Sequence, residues 1–185
     1  MKATETHIPG LYVIEPKVFA DDRGYFFESY SQIKLAEAGI ETVFVQDNQS
    51  RSGYGVIRGL HYQMEPRAQT KLVRVLEGII YDIAVDVRKG SPTYGQWYGL
   101  EISADNKKQL FIPKGFAHGF SVLSETAVVF YKCDEFYAPE YDAGIIYNDP
   151  QLQIDWKILT EKAVLSEKDS KLPLFRDAKN NFNYS

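Results

Sequence analysis

The chain has 185 residues, of which 44% are hydrophobic and 25% are charged, so it can bury one sizeable core. Its formal net charge is −4 and its pI is about 5.4, which argues against duplex nucleic acid as a partner because phosphate binding needs a basic face. The single cysteine, Cys133, excludes an intramolecular disulfide and favours a cytoplasmic location, and no apolar run is long enough to suggest a membrane span.

The first predicted element is a short helix over residues 32–38. Ser31 directly precedes it and is a suitable N-cap, because a serine hydroxyl can accept a hydrogen bond from a free amide of the first turn. Gly39 follows the helix and can adopt the left-handed conformation that ends it.

Strand patterns dominate from about residue 43 to residue 148. Residues 72–88 predict two strands with a turn at residues 77–78. In the second strand every other residue from Ile79 to Val87 is apolar or aromatic, while Asp82 and Asp86 fall between them. This period of two predicts one face in a core and one largely polar face. Further strands are predicted over residues 56–63, 96–102, 109–112, 119–123, 127–131 and 144–147.

Many short antiparallel strands separated by turn residues predict an all-β barrel or jelly roll. From Thr160 onward the pattern favours short helices and loops that wrap this body. No repeat, linker or domain boundary is evident, so we expect residues 1–185 to form a single domain. The 13 Tyr, 11 Phe and 2 Trp suit β-sheet and also suit a pocket that stacks against a sugar or a base.

Only three histidines occur, and two of them lie in similar surroundings. His61 and His118 each follow a glycine turn and precede aromatic residues, whereas His7 lies in a polar segment and is expected to have no role. The segment PKGFAH, which ends at His118, resembles the second half-motif of the cupin superfamily, Pro-x-Gly-x-x-His. This resemblance implies a cupin-type jelly-roll barrel with a few short peripheral helices.

The cupin motif that supplies metal ligands is incomplete here. Metal-binding cupins have His-x-His and a glutamate in the first half-motif, but this chain has His61, Tyr62 and Gln63. A divalent ion normally needs three or more protein ligands, so the sequence predicts no metal. A histidine without a metal can act as a general base, because its ordinary pKa of about 6.5 is close to working pH. A Ser-His-Asp hydrolase is the rival, but no Gly-x-Ser-x-Gly turn is present.

Nine segments form an ordered set between residues 16 and 173. They are DRGYFFE (22–28), FVQDN (44–48), RGLHYQ (58–63), KLVR (71–74), DIAVD (82–86), IPKGFAHGF (112–120), YKC (131–133), NDP (148–150) and LSEKD (165–169). Each is weakly specific alone. Together and in this order they resemble the dTDP-4-dehydrorhamnose 3,5-epimerase family, the cupin-fold enzymes of dTDP-L-rhamnose synthesis.

The resemblance implies an isomerase that uses no cofactor and acts on a dTDP-4-keto-6-deoxy sugar. His61 would abstract a proton next to the C4 ketone, with Asp169 holding its imidazole; spacing alone does not select Asp169 from the other carboxylates. Tyr131 would supply a proton on the opposite face of the sugar, and Lys71 would stabilise the charge on the sugar oxygen. Because the ketone activates both C3 and C5, one base can serve both carbons.

The resemblance also implies a set of substrate-binding residues. Arg23 and Arg58 suit the diphosphate because a guanidinium pairs its donors with phosphate oxygens. Tyr137 would stack on the thymine, and Asp142 stands where the family often has a glutamate. A homodimer that exchanges N-terminal residues between barrels is also implied. The full set is Arg23, Glu28, Gln46, Asp47, Asn48, Arg58, His118, Tyr137, Asp142 and Lys168.

Three alternatives stay open on the sequence alone. The first is a sister enzyme that epimerises only C3 or only C5, although the presence of Tyr131 favours both. The second is a cupin that binds a sugar nucleotide without turnover, and the third is a metal cupin. Without the ordered motifs, Lys71 would be a solvated lysine, Tyr131 a core tyrosine and Asp169 a helix-end carboxylate.

Overall fold

A computed structural model describes residues 1–184, which form thirteen strands and two short α-helices. The helices are α1 (Gln32–Glu37) and α2 (Glu167–Ser170), and 3₁₀ turns lie at Pro139–Tyr141, Thr160–Lys162 and Phe175–Asp177. The strands are β1 (Lys2–Glu5), β2 (Tyr12–Glu15), β3 (Val18–Asp21), β4 (Gly24–Phe27), β5 (Gln46–Gly53), β6 (Ile57–Gln63), β7 (Lys71–Glu77), β8 (Ile79–Asp86), β9 (Trp97–Ser103), β10 (Gln109–Ile112), β11 (Phe116–Val122), β12 (Thr126–Cys133) and β13 (Asp142–Gly144).

Two antiparallel sheets face each other and enclose the main core. One sheet has the order β1-β2-β10-β7-β12-β5 and the other β13-β6-β11-β8-β9, while β3 and β4 pair separately as a hairpin. Apolar side chains from both sheets, including Val73, Leu110, Phe120 and Val129, meet between them. The predicted all-β, jelly-roll-type barrel is confirmed. No helix within residues 1–184 is long and apolar enough to cross a membrane.

A second apolar cluster covers the outer face of the five-stranded sheet. Trp156, Phe175 and Phe182, from the segment after β13, pack over Ile83 and Val85 of β8. The other face of β8, which carries Asp82 and Asp86, looks into the barrel, and both residues are 0% exposed. Both faces of the strand are therefore buried, and the prediction of a largely polar face is wrong.

The other predicted elements agree with the structure to differing degrees. The early helix is confirmed, with the Ser31 side chain accepting a hydrogen bond from the Lys34 amide. The turn at residues 77–78 and the short helices of the C-terminal segment are also confirmed. The strand predicted at residues 144–147 is wrong, because β13 ends at Gly144. Strands β1 to β4 were not predicted.

Candidate active site

A cleft opens between the two sheets at one end of the barrel. It consists of two adjoining cavities. The outer cavity, of about 290 Å³, reaches the exposed Tyr137, and the inner cavity, of about 270 Å³, reaches the buried His118. Both are lined by His61, Lys71, Tyr131 and Lys168, so they form one continuous space. Six of the nine ordered motifs, at residues 44–48, 58–63, 71–74, 112–120, 131–133 and 165–169, therefore supply residues to one location.

His61 lies on β6, and its imidazole is held from behind by Asp169. The Nε2 atom of His61 is 2.7 Å from Oδ1 of Asp169, although the two residues are 108 positions apart in the chain. Asp169 is buried, and its carboxylate also accepts a hydrogen bond from the amide of Gly59 at 3.4 Å. Because Nε2 is engaged, Nδ1 is the nitrogen left to react with a ligand.

The local fold at Asp169 favours its ionised form. Burial opposes ionisation, but hydrogen bonds and charge from His61, with further hydrogen bonds from Gly59 and Ser166, outweigh it and lower the pKa of Asp169. The Ser166 hydroxyl caps α2 by accepting a hydrogen bond from the Asp169 amide at 3.0 Å, which fixes the position of the Asp169 backbone and so of its side chain. An ionised carboxylate in this place orients the imidazole and strengthens it as a base.

Tyr131 and Lys71 lie on the opposite wall, on β12 and β7 of the six-stranded sheet. The Lys71 Nζ atom is 6.0 Å from the centroid of the Tyr131 ring. Burial raises the pKa of the Tyr131 phenol, so it stays protonated and can donate a proton. Burial lowers the pKa of Lys71, because enclosure by protein disfavours the ammonium.

This arrangement suits proton exchange on two faces of one ligand. A base on one sheet faces a proton donor on the other, and a lysine beside the donor can stabilise a developing oxyanion. The predicted grouping of His61, Asp169, Tyr131 and Lys71 is therefore found in the structure.

Two polar strand residues and an exposed tyrosine line the outer cavity. Gln46 and Asn48 project from β5, with Gln46 Nε2 donating to Asn48 Oδ1 at 3.1 Å. The Gln46 side-chain oxygen accepts the amide of Tyr137 at 3.2 Å, which ties the Tyr137 loop to the cleft. Tyr137 is 57% exposed, so its ring is free to stack on a ligand.

The inner cavity carries the groups with anion-binding character. Arg58 lies on β6, and its Nε atom donates to the Ser52 hydroxyl at 3.1 Å. His118 lies on β11 directly opposite His61 in the strand register. At the rim, Lys168 of α2 forms an ion pair with Asp142 of β13, so these two predicted binding residues contact each other.

Three predicted binding residues are not brought into this cleft. Arg23 lies on the β3–β4 hairpin and pairs with Asp21, with Nη2 2.6 Å from Oδ2. Glu28 follows the hairpin and pairs with Lys34 of α1. Asp47 alternates with Gln46 and Asn48 along β5, so it points away from the cleft. It pairs instead with Lys132, at 2.8 Å.

Several residues that line the cleft were not predicted. Gln63 is buried and anchors the loop before Tyr137, donating to the carbonyls of Arg67 and Phe136 and accepting the Ala138 amide. No group of three or more His, Cys, Asp or Glu within residues 1–184 is placed to hold a metal ion. The other unpredicted lining residues are Ser50, Tyr62, Gln69, Phe120 and Ser166.

Comparison with known proteins places this chain in a defined family. The sequence profile of the dTDP-4-dehydrorhamnose 3,5-epimerase family matches residues 5–177. An enzyme of that name from Pseudomonas aeruginosa is 56% identical over 179 residues, covering 96% of this chain and 98% of that protein.

Solved structures agree with this assignment. The crystal structure of dTDP-4-dehydrorhamnose 3,5-epimerase from Elizabethkingia anophelis is 53% identical, with a TM-score of 0.92, covering 96% of this chain and 97% of that one. A Legionella pneumophila epimerase in complex with dTDP-4-keto-L-rhamnose is 51% identical, with a TM-score of 0.91, covering 95% and 93%. The chain belongs to the dTDP-4-dehydrorhamnose 3,5-epimerase family and is a carbohydrate epimerase of the isomerase class.

Proposed function

We propose that this chain epimerises dTDP-4-dehydro-6-deoxy-D-glucose at both C3 and C5, giving dTDP-4-dehydro-L-rhamnose, in the cytoplasm. The observation that carries the proposal is the position of His61 and Tyr131 on opposing sheets of one cleft. Inversion needs a proton to leave one face of the sugar and return to the other, so the two groups must flank the ring.

In the proposed mechanism, Nδ1 of His61 takes the proton next to the C4 ketone. Asp169 stabilises the resulting imidazolium through its 2.7 Å contact with Nε2. The electron pair moves onto the C4 oxygen as an enolate, which Lys71 stabilises. Tyr131 then donates its proton to the opposite face of the same carbon, and the enolate returns to the ketone. The His61 imidazolium releases its proton to solvent and the Tyr131 phenolate takes one from solvent, so the cycle can repeat at the second carbon after the sugar shifts.

The remaining cleft residues are proposed to bind the nucleotide part. Arg58 faces the inner cavity and suits the diphosphate, while Tyr137 at the mouth suits stacking on thymine. Gln46, Asn48, His118, Asp142 and Lys168 supply polar contacts around the same cleft.

Solvent exchange tests the proposal directly. The protein is incubated with dTDP-4-keto-6-deoxyglucose in deuterated water, and NMR locates the label. We expect deuterium at both C3 and C5. Label at one carbon alone would indicate a monoepimerase, and no label with bound substrate would indicate a binding protein without turnover.

A pair of histidine variants gives the matched control. His61→Ala is expected to abolish exchange while substrate binding, measured by calorimetry, persists. His7→Ala removes an exposed histidine that lies outside the cleft, so it should exchange at the wild-type rate. Equal loss in both variants would contradict a catalytic role for His61.

We also propose that the protein is a homodimer in which the β3–β4 hairpin reaches the cleft of the partner. The hairpin exposes Phe19, Tyr25 and Phe26, which are 54%, 61% and 68% exposed, and such an apolar surface favours association. Arg23 lies on the same hairpin, away from the cleft of its own chain. A shared site would account for its predicted substrate role.

Mixed variants test the shared site. Arg23→Ala and His61→Ala are each expected to be nearly inactive. A dimer formed from one chain of each would contain one intact site, so random exchange should restore about a quarter of wild-type activity. A monomeric mass by light scattering, or no recovery on mixing, would contradict this proposal.

A further inference from the structure

Asp82 is a carboxylate buried in the barrel without its full set of hydrogen bonds. It lies on the inner face of β8 and is 0% exposed. Its Oδ1 atom is 2.7 Å from Nε2 of His118. Its Oδ2 atom has no hydrogen-bond partner, one of only three sealed side-chain polar atoms in this condition within residues 1–184.

Asp86, on the same strand as Asp82, is a buried carboxylate whose hydrogen bonds are typical of a structural role. Asp86 is equally buried, but its carboxylate accepts hydrogen bonds from the Arg88 amide and guanidinium and from the Ser91 and Thr93 hydroxyls. A buried carboxylate costs free energy unless it is paired and fully hydrogen-bonded. Asp82 is therefore expected to contribute less to stability than Asp86, and its presence in the barrel calls for a different explanation.

The partner of Asp82 faces the cleft. His118 is 7% exposed, lines the inner cavity and is the direct cross-strand neighbour of His61. Because Nε2 of His118 is turned toward Asp82, Nδ1 is the nitrogen left for a ligand.

The charge of Asp82 also acts on the opposite wall. Burial lowers the pKa of Lys71, and the electrostatic effects of Cys133, Asp142 and, least of the three, Asp82 oppose that fall. Asp82 thus lies behind one ligand-facing group and within electrostatic reach of another. Carboxylates placed behind a histidine in this way fix its tautomer and ring orientation.

We propose that Asp82 is a positioning residue of the epimerase, which accepts the Nε2–H of His118 so that Nδ1 of that ring can accept a hydrogen bond from a hydroxyl of the bound sugar. The proposal rests on the proposed function. His118 and Asp82 then form a second histidine–carboxylate pair beside His61 and Asp169. The second pair orients a sugar oxygen while the first pair moves the proton.

Asp82→Asn is the first test, since it keeps the shape of the side chain and removes its charge. The amide can donate to Nε2, so the ring can adopt the other tautomer and Nδ1 becomes protonated. We expect kcat/KM to fall at least tenfold, the loss typical of one charge-assisted hydrogen bond. In a His118→Ala background the same substitution should cost less than twofold, because Asp82 acts through the ring. An equal loss in both backgrounds would overturn the proposal.

Histidine ¹⁵N NMR gives a readout that needs no turnover. With only three histidines, His7→Ala and His118→Ala assign the signals of His118. Wild-type His118 should carry its proton on Nε2, and Asp82→Asn should move it to Nδ1. Unchanged His118 shifts would overturn the proposal. If wild-type protein exchanges no substrate, the proposed function fails while this measurement still decides the pairing.

Asp86→Asn is the matched control, a buried carboxylate of the same strand that does not line the cleft. It should lower the melting temperature and leave both kcat/KM of the folded protein and the His118 shifts unchanged. Asp82→Ser is the second variant if Asp82→Asn folds poorly. Failure of both Asp82 variants to fold would make Asp82 a structural residue and overturn the proposal.

Discussion

Asp169 ties the proposed base to a part of the chain far away in sequence. Asp169→Asn keeps the volume of the side chain but can reverse the tautomer of His61. We expect kcat to fall about 10²- to 10⁴-fold with KM little changed, the size of effect seen when the carboxylate of a serine-protease triad is replaced by an amide. Steady-state kinetics, with circular dichroism to confirm folding, would measure it. A loss below tenfold would argue against the pairing as a catalytic unit.

Lys71 and Tyr131 are expected to set different limits on the pH dependence. Burial lowers the pKa of Lys71 and raises that of Tyr131, so the two pKa values shift in opposite directions. Lys71 is therefore expected to lose its proton at a pH below the ordinary lysine pKa of about 10.4. We expect the alkaline limb of kcat to lie below that value.

Variants assign this limb to one residue. Lys71→Arg carries a guanidinium that stays protonated up to a pH of about 12, so the alkaline limb of its residual activity should move to higher pH. Tyr131→Phe should keep the wild-type limb in its residual solvent exchange. The opposite pattern would assign the limb to Tyr131.

At the residue scale, the sequence predicts chemical type better than position. The motifs predict His61, Lys71 and Tyr131, but nothing in them shows that Asp142 and Lys168 form an ion pair. Asp82 was missed as a site residue because its alternation along β8 is typical of a solvated face. That face is buried by the opposite sheet, which single-strand periodicity does not report.

The elements that carry the site differ in how they are held. Helix α2 has four residues and depends on its Ser166 cap, which binds the amide of Asp169 itself. Ser166→Ala should cost about 1 kcal/mol of stability and also lower kcat, because the carboxylate loses its anchor. Ser31→Ala removes the cap of α1, which does not line the cleft, and should cost similar stability without lowering kcat. Unfolding and kinetic measurements on both variants compare these effects, and equal kcat values would contradict the anchoring role of Ser166.

The four N-terminal strands show where element prediction from sequence stops. Residues of β3 are all exposed, and Tyr25 and Phe26 of β4 are exposed too, so no alternation of apolar and polar residues marks these strands. Their aromatic character reflects a surface that one chain leaves uncovered. By contrast, β7, β8 and the turn between them follow from sequence because an apolar core imposes its period on them.

At the scale of the whole molecule, the C-terminal segment is part of the fold rather than an attachment. We propose that residues 1–185 unfold as a single unit, since Phe182 is 5% exposed and packs against Tyr62 of β6, with ring centroids 6.1 Å apart. Phe182→Ala should cost about 3–5 kcal/mol, or roughly 10 °C in Tm for a chain of this size. Leu159→Ala, at an exposed site away from the β3–β4 hairpin, should change stability by less than about 0.5 kcal/mol.

Coincident near- and far-ultraviolet circular dichroism transitions would support the single unit. Two separate transitions, with the C-terminal segment melting first, would contradict it. The sequence predicted that this segment wraps the body, and the family resemblance implied that its Asp169 and Lys168 belong to the site, but spacing alone could not select Asp169. Contact between Asp169 and His61 depends on packing across the whole barrel.

Gln63 has a consequence for how the protein could change over evolutionary time. It occupies the position of a metal-ligating histidine in metal-binding cupins, yet its amide makes two hydrogen bonds to the residues on either side of Tyr137 and a third to the Arg67 carbonyl. A histidine at this position would lose those hydrogen bonds and loosen the Tyr137 ring, which we propose stacks on the nucleotide. Regaining a metal ligand at this position is therefore disfavoured, because the Gln63 amide makes hydrogen bonds that a histidine side chain cannot reproduce.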